Sequence, residues 1–142
     1  DSVISMLMPA IFFLIALGLA FATGTSWGTF GILIPIAVAV FGDSATTMLV
    51  MTVAACLSGA VCGDHISPIS DTTILASAGA QCHHIDHVST QLSYALLVAA
   101  MSFVGFLVGG VTGSGVIALI VGLVLFALTI FVISAKHKKA AN

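Results

Sequence analysis

Apolar residues gather in five stretches, separated by short runs of small polar residues. Residues 3–22 give about 20 apolar positions, enough for a helix to cross a ~30 Å hydrocarbon core. Residues 92–111 and 116–134 are similar in length and read as two further spans. Between them lies only Thr112-Gly113-Ser114-Gly115. So short a connection predicts an antiparallel helical hairpin. Gly105-x-x-x-Gly109 offers it a close-packing face. Residues 30–41 are too few to span alone, and either crossing or re-entry is open to them. Residues 46–80 form one apolar segment, with a predicted break at 63–72.

Composition turns this pattern into a membrane protein. The chain is 60% hydrophobic and 6% charged, with a mean hydropathy of +1.27. A soluble domain carries about 25% charged residues. The sequence lacks glutamate and arginine, and its lysines are 136, 138 and 139. A basic nucleic-acid surface is thereby excluded. The fold class expected is an all-α membrane protein of polytopic transmembrane helices with broken or re-entrant segments. Lys136, Lys138 and Lys139 directly follow the last span and place a tail at 136–142 in the cytoplasm by the positive-inside rule. The loop 81–90 is then cytoplasmic as well. Cys56, Cys62 and Cys82 lack paired spacing, so a disulfide framework is not expected. The chain starts at Asp1 and enters apolar sequence at once, which reads as a fragment lacking its N-terminal part.

The chemistry lies in the interruptions. Unwound backbone at membrane depth survives only when buried in protein or lining a cavity. Short hydrophobic segments interrupted by Gly or Pro point to a transporter's binding site. In Gly63 to Thr73, Pro68 lacks an amide hydrogen and disfavours helix at Ser67. Ser67, Ser70, Thr72 and Thr73 bring hydroxyl oxygens, and Asp64 and Asp71 bring carboxylates. These are hard oxygen donors suited to a cation such as Na+. Asp71 or Ser70 can also cap the short helix that follows. A charged Asp near the bilayer centre costs roughly 2.5–3.5 kcal/mol. Desolvation favours its neutral form, and a bound cation reverses that preference. Na+ and H+ would therefore compete for Asp64 and Asp71. The plainer alternative is two helix-capping aspartates in an interfacial loop. His65 either relays protons or bonds the broken backbone.

The other interruption, Thr23 to Thr29, carries no charge. Thr25 and Ser26 are its candidate cation oxygens, and its glycines permit positive φ. Trp27 is either an interfacial anchor or a wall of the site. Pro9 and Pro35 are expected to kink their helices. A third cluster runs Cys82-His83-His84-Ile85-Asp86-His87. It lacks the HExxH pattern of a zinc site. A pH-responsive or helix-capping role for His84, Asp86 and His87 is favoured instead. An intramembrane aspartyl protease is disfavoured, because Gly-x-Gly-Asp is absent and Asp71 lies only seven residues from Asp64.

Three stretches carry a resemblance to the NhaC family of Na+/H+ antiporters. They are Ala22 to Gly31 (ATGTSWGTFG) with Pro35, Gly63 to Thr73 (GDHISPISDTT), and His84 to Val88 (HIDHV) with Thr90, Gln91 and Tyr94. The resemblance implies a multi-pass protein of the cell (inner) membrane. It implies secondary transport coupled to Na+ or H+, and a full-length protein with two related halves, of which this chain holds the second as one half of an inverted-repeat transporter. The expected partners are the lipid bilayer, the two ions, the N-terminal half of the same protein and a second copy in a homodimer. No cofactor beyond the transported ions is expected, nor any enzymatic chemistry. Some relatives look like malate/lactate exchangers, so an organic-acid or amino-acid exchanger is the first alternative. The lack of arginine, and of lysine before position 136, weighs against an anionic cargo. A non-transporting membrane subunit or inactive fragment is the second alternative.

Overall fold

The computed structural model describes residues 2–42 and 46–140, and the described residues form helices joined by short turns. The helices are α1 (Ser2–Thr23), α2 (Ser26–Phe41), α3 (Thr46–Ile66), α4 (Asp71–Gly79), α5 (His84–Thr112) and α6 (Gly115–Ala140). Four of them, α1, α3, α5 and α6, are long and apolar enough to cross a membrane. The protein is an all-α, multi-pass membrane protein. Asp1 and Asp43 lie outside the described residues, as do the side chains of Lys138 and Lys139.

Small residues on α3 bring α1 and α3 into backbone contact. Gly59 faces the carbonyl of Phe13, and Gly63 faces that of Leu17. One turn further on, Ser67 Oγ donates to the carbonyl of Phe21 at 2.7 Å. The three pairs advance together by four residues, so α1 and α3 run parallel. Without Cβ atoms the two glycines let the helices approach, and dispersion drives such pairs where lipid removes the hydrophobic effect. Ala16, Ala20, Ala55, Cys56 and Ala60 complete the buried seam.

Parallel neighbours require a returning segment between them, and α2 is that segment. Its 16 residues reach about 24 Å. Thr29, Leu33 and Ala37 form its buried face, and Leu33 and Ala37 join the α1–α3 seam. The open question of residues 30–41 is resolved this way: helix begins at Ser26, and α2 carries the chain back toward the start of α3. Helices α1 and α2 run on through Pro9 and Pro35.

Helix α5 opposes α1. Gly110 meets the Met6 carbonyl, and Phe106 stacks on Phe13 at 5.5 Å between ring centroids. The predicted hairpin with α6 forms at Gly113, which takes φ 66 at the helix end. Gly105 and Gly109 pack on Ala118 of α6, as their spacing suggests.

Three boundaries differ from expectation. Gly63, Asp64 and His65 remain helical, so the second break shrinks to residues 67–70. Gly63 acts in packing, and Pro68 is the breaker. Helix α5 starts at His84, eight residues before its apolar run, and the predicted loop 81–90 shortens to the turn before it. No Pro or Gly interrupts residues 84–104, and Thr90 Oγ1 bonds back to Asp86 O at 2.9 Å within the helix. The predicted tail also stays helical through Ala140, since lysines and alanines are good helix formers. Both breaks close the same end of the α1–α3 pair, because the two helices run parallel.

Candidate functional site

The two interruptions, more than forty residues apart in sequence, meet in space. Gly24 takes φ 68 and lies against the backbone of Ile69, so close that a Cβ would sit 3.0 Å from the Ile69 carbonyl oxygen. The Ser67–Phe21 hydrogen bond joins the same two regions. Ser67 also accepts weakly from Ile69 N at 3.4 Å. Its proton therefore satisfies a carbonyl at the end of α1, one of the groups a helix terminus leaves without a partner. Ser67 is a tie between the breaks.

Asp64 sits in the last turn of α3 and is 5% exposed. Ser70 Oγ donates to Asp64 Oδ1 at 2.6 Å. Ser70 Oγ also lies 2.8 Å from Thr72 Oγ1. One hydroxyl carries one proton, so Thr72 donates to Ser70 while Ser70 donates to the carboxylate. Such bonds to an ionised acceptor are short and strong. Ser70 occupies the N-cap of α4 yet makes no side-chain cap bond. A serine there normally accepts from an amide of the first turn. Here the hydroxyl turns to Asp64 instead.

Asp71 opens α4 on its exposed side. The two carboxylates thus differ: Asp64 is enclosed by this chain and Asp71 faces outward. Among the described residues, no group of three or more His, Cys, Asp or Glu is placed to hold a metal ion. His65 is exposed, and its Nδ1 donates to Val61 O at 3.0 Å, with no partner for Nε2 among the described residues. Its backbone carbonyl accepts from Thr73 Oγ1 at 2.9 Å. Beside it a groove of about 420 Å³ opens between α3 and α5, lined in part by His65, Gln91, Tyr94 and Ser102.

The first interruption is organised differently. Thr25 caps α2, accepting from Gly28 N at 3.3 Å, and its carbonyl accepts from Thr29 Oγ1 at 2.9 Å. The Thr25 hydroxyl, expected from sequence to be a cation oxygen, accepts this bond at the start of α2. Ser26, half-buried, begins α2. Trp27 is 82% exposed and packs edge-on against Phe30.

The family is read from the sequence itself. The family model described as "Na+/H+ antiporter family" matches residues 2–111. The chain belongs to the Na+/H+ antiporter family. It is 49% identical over 132 residues to an uncharacterized protein of Haemophilus influenzae, covering 93% of this chain and 25% of that protein. It is 38% identical over 111 residues to a malate-2H(+)/Na(+)-lactate antiporter of Bacillus subtilis, covering 72% of this chain and 24% of that protein. An arginine/ornithine antiporter of Halobacterium salinarum is 36% identical over 111 residues, with 75% and 23% covered. The chain spans about a quarter of the length of these curated relatives. No solved structure matches it.

The histidine cluster divides. His83 Nδ1 lies 3.8 Å from Asp86 Oδ2 on the exposed side. His84 turns inward: Nε2 lies 2.8 Å from Pro68 O, and Nδ1 lies 2.9 Å from Ser77 Oγ. His87 is half-buried. Sequence reasoning missed Ser77, which is 3% exposed. Its partner arrives across the tight reversal at Gln81, at φ 54, a reversal that no hydrophobic pattern announces.

Proposed function

We propose that the full-length protein containing this chain is a secondary antiporter that exchanges Na+ for H+ across the cell (inner) membrane. Asp64 is the carboxylate for which the two ions compete. The observation that carries this reading is a 5%-exposed aspartate held by a hydroxyl at 2.6 Å in a broken helix pair. Protein packing encloses Asp64 and leaves its carboxylate one hydroxyl partner, Ser70. A proton neutralises it, or Na+ balances its charge. Ser70 and Thr72 contribute neutral oxygens. Asp71 faces the remainder of the protein, which completes the ion's shell. The remainder includes the N-terminal half of an inverted repeat, and the C-terminus lies in the cytoplasm. Alternating access of this site to the two sides couples the gradients without covalent chemistry.

The test uses vesicles holding the full-length protein. A sodium pulse is expected to dissipate an imposed pH gradient. Asp64→Asn is expected to abolish the response and Asp71→Asn to weaken it. Unchanged exchange in Asp64→Asn sinks the mechanism.

A second reading keeps the site and changes the cargo to an organic acid or amino acid. It is favoured by two relatives, a malate-2H(+)/Na(+)-lactate antiporter and an arginine/ornithine antiporter. It is also favoured by the first turn of α4, whose amides receive no cap from Ser70. Broken-helix N-termini are suited to anionic substrate groups. Uptake of labelled malate, lactate, arginine or ornithine separates the readings. Sodium-driven uptake of any of them, without sodium-driven proton movement in its absence, selects the second.

A further inference from the structure

Two grooves meet along one side of α3. The groove between α3 and α5 is continued by a second, of about 470 Å³, between α3, α5 and α6. Ser58, Val98 and Ser102 line both. From His65 to Val50 this trough follows α3 for about 22 Å, most of the way across a hydrocarbon core. Its floor is made of small residues: Ala54 and Ser58 on α3, Gly105 on α5, and Ala118 and Gly122 on α6. Ala54 and Ser58 are four apart, as are Ala118 and Gly122, the spacing at which transmembrane helices approach closely. A Cβ at Gly122 would meet nothing within 4 Å. No contact inside this chain therefore requires glycine there, although glycine weakens a helix relative to alanine. Ser102 lies midway along the apolar run of α5, half-buried, with no hydrogen-bond partner among the described residues. By contrast, the hydroxyls of Ser58, Thr112 and Thr129 each bond the carbonyl one turn back.

We infer that this trough seats a transmembrane helix from the part of the full-length protein outside this chain. The inference rests on the reading that such a protein contains this chain. The chain spans about a quarter of its curated relatives, so a protein of their length has three-quarters of its residues left to surround it. The incoming helix lays large apolar side chains on the small-residue floor and brings a hydrogen-bonding group to Ser102. Lipid is the poorer occupant. Acyl chains offer Ser102 no hydrogen bond and gain nothing from a bare glycine. They belong on the other face of α6, where Ile120, Val124, Leu128 and Phe131 are large, apolar and exposed. The two faces of α6 thus divide: one is turned to protein and one to the bilayer. The seat concerns the assembly of the protein and does not depend on which cargo is carried.

Photocross-linking of the full-length protein in lipid vesicles tests it. Phe126 and Tyr94 line the trough, and each is replaced in turn by p-benzoylphenylalanine. Mass spectrometry is expected to find each joined, at monomer mass, to a peptide of the same polypeptide from outside residues 1–142. The same replacement at Phe131, on the other face of α6, is expected to give lipid adducts. Gly122→Leu, whose added Cβ meets nothing inside this chain, is expected to lower the Phe126 cross-link by about tenfold, because it overpacks an occupied seat. Lipid adducts alone or no adduct at both trough positions, or a cross-link at dimer mass, overturns the inference. So does a Phe126 cross-link undiminished in Gly122→Leu. Because the readout requires no transport, its failure and that of the antiport reading are separate events.

Discussion

The two breaks are both rich in hydroxyls and differ in where those hydroxyls go. In the first, Thr23 bonds Leu19 O, Thr25 caps Gly28 N, and Thr29 bonds Thr25 O. Each bond stays within about one helical turn. In the second, Ser67 reaches Phe21, Ser70 reaches Asp64, Thr73 reaches back to His65, and His84 reaches Pro68. The first is an ordinary pair of helix ends. The second joins four helices, and one of its hydroxyls bonds a carboxylate. In the second break polar side chains leave their own backbone and serve another element, which is why the proposed ion site is put there.

Substitutions can break that comparison. The largest effect is expected at neither hydroxyl set but at the seam holding both. Gly63→Val places a Cβ against the Leu17 carbonyl. It should lower stability by on the order of 3 kcal/mol, read as earlier thermal unfolding in detergent. Next, Ser70→Ala removes a hydrogen bond to a carboxylate, a contribution of about 1.5–3 kcal/mol. Half-saturating sodium in vesicle exchange should rise by about tenfold or more. Ser67→Ala strands the Phe21 carbonyl and should reduce stability by about 1–2 kcal/mol, with a smaller change in ion affinity. Thr25→Ala should lower stability by about 1 kcal/mol, the worth of a cap, and leave sodium dependence unchanged. If Thr25→Ala shifts sodium dependence more than Ser70→Ala, the division between the breaks is wrong.

Much of this was legible in the chain. Uninterrupted apolar length marked α1, α3 and the α5–α6 hairpin, because a bilayer demands it. Pro68 marked the second break, and Asp64 its acid. The rest depended on contacts between distant residues. Gly63 reads as a helix breaker in one dimension and is a backbone contact in three. The polar run from His84 to Thr90 reads as a loop, yet a helix extends past its apolar portion when its polar residues bond along their own turns. That Asp71 faces outward while Asp64 is enclosed could not be seen from two acids seven residues apart. The parallel course of α1 and α3 was hidden as well, since it follows from the direction of a short α2.

The glycine seam also limits how the molecule can move. With Gly59 and Gly63 pressed on main-chain carbonyls, α1 and α3 form one stiff plank that cannot slide along itself without collision. Both interruptions are fixed to its end. Beyond that seam, the elements of this segment nearest Asp64 are the nine-residue α4, the reversal at Gln81 and the first turn of α5, so within this segment the freedom to move about the carboxylate is left to them.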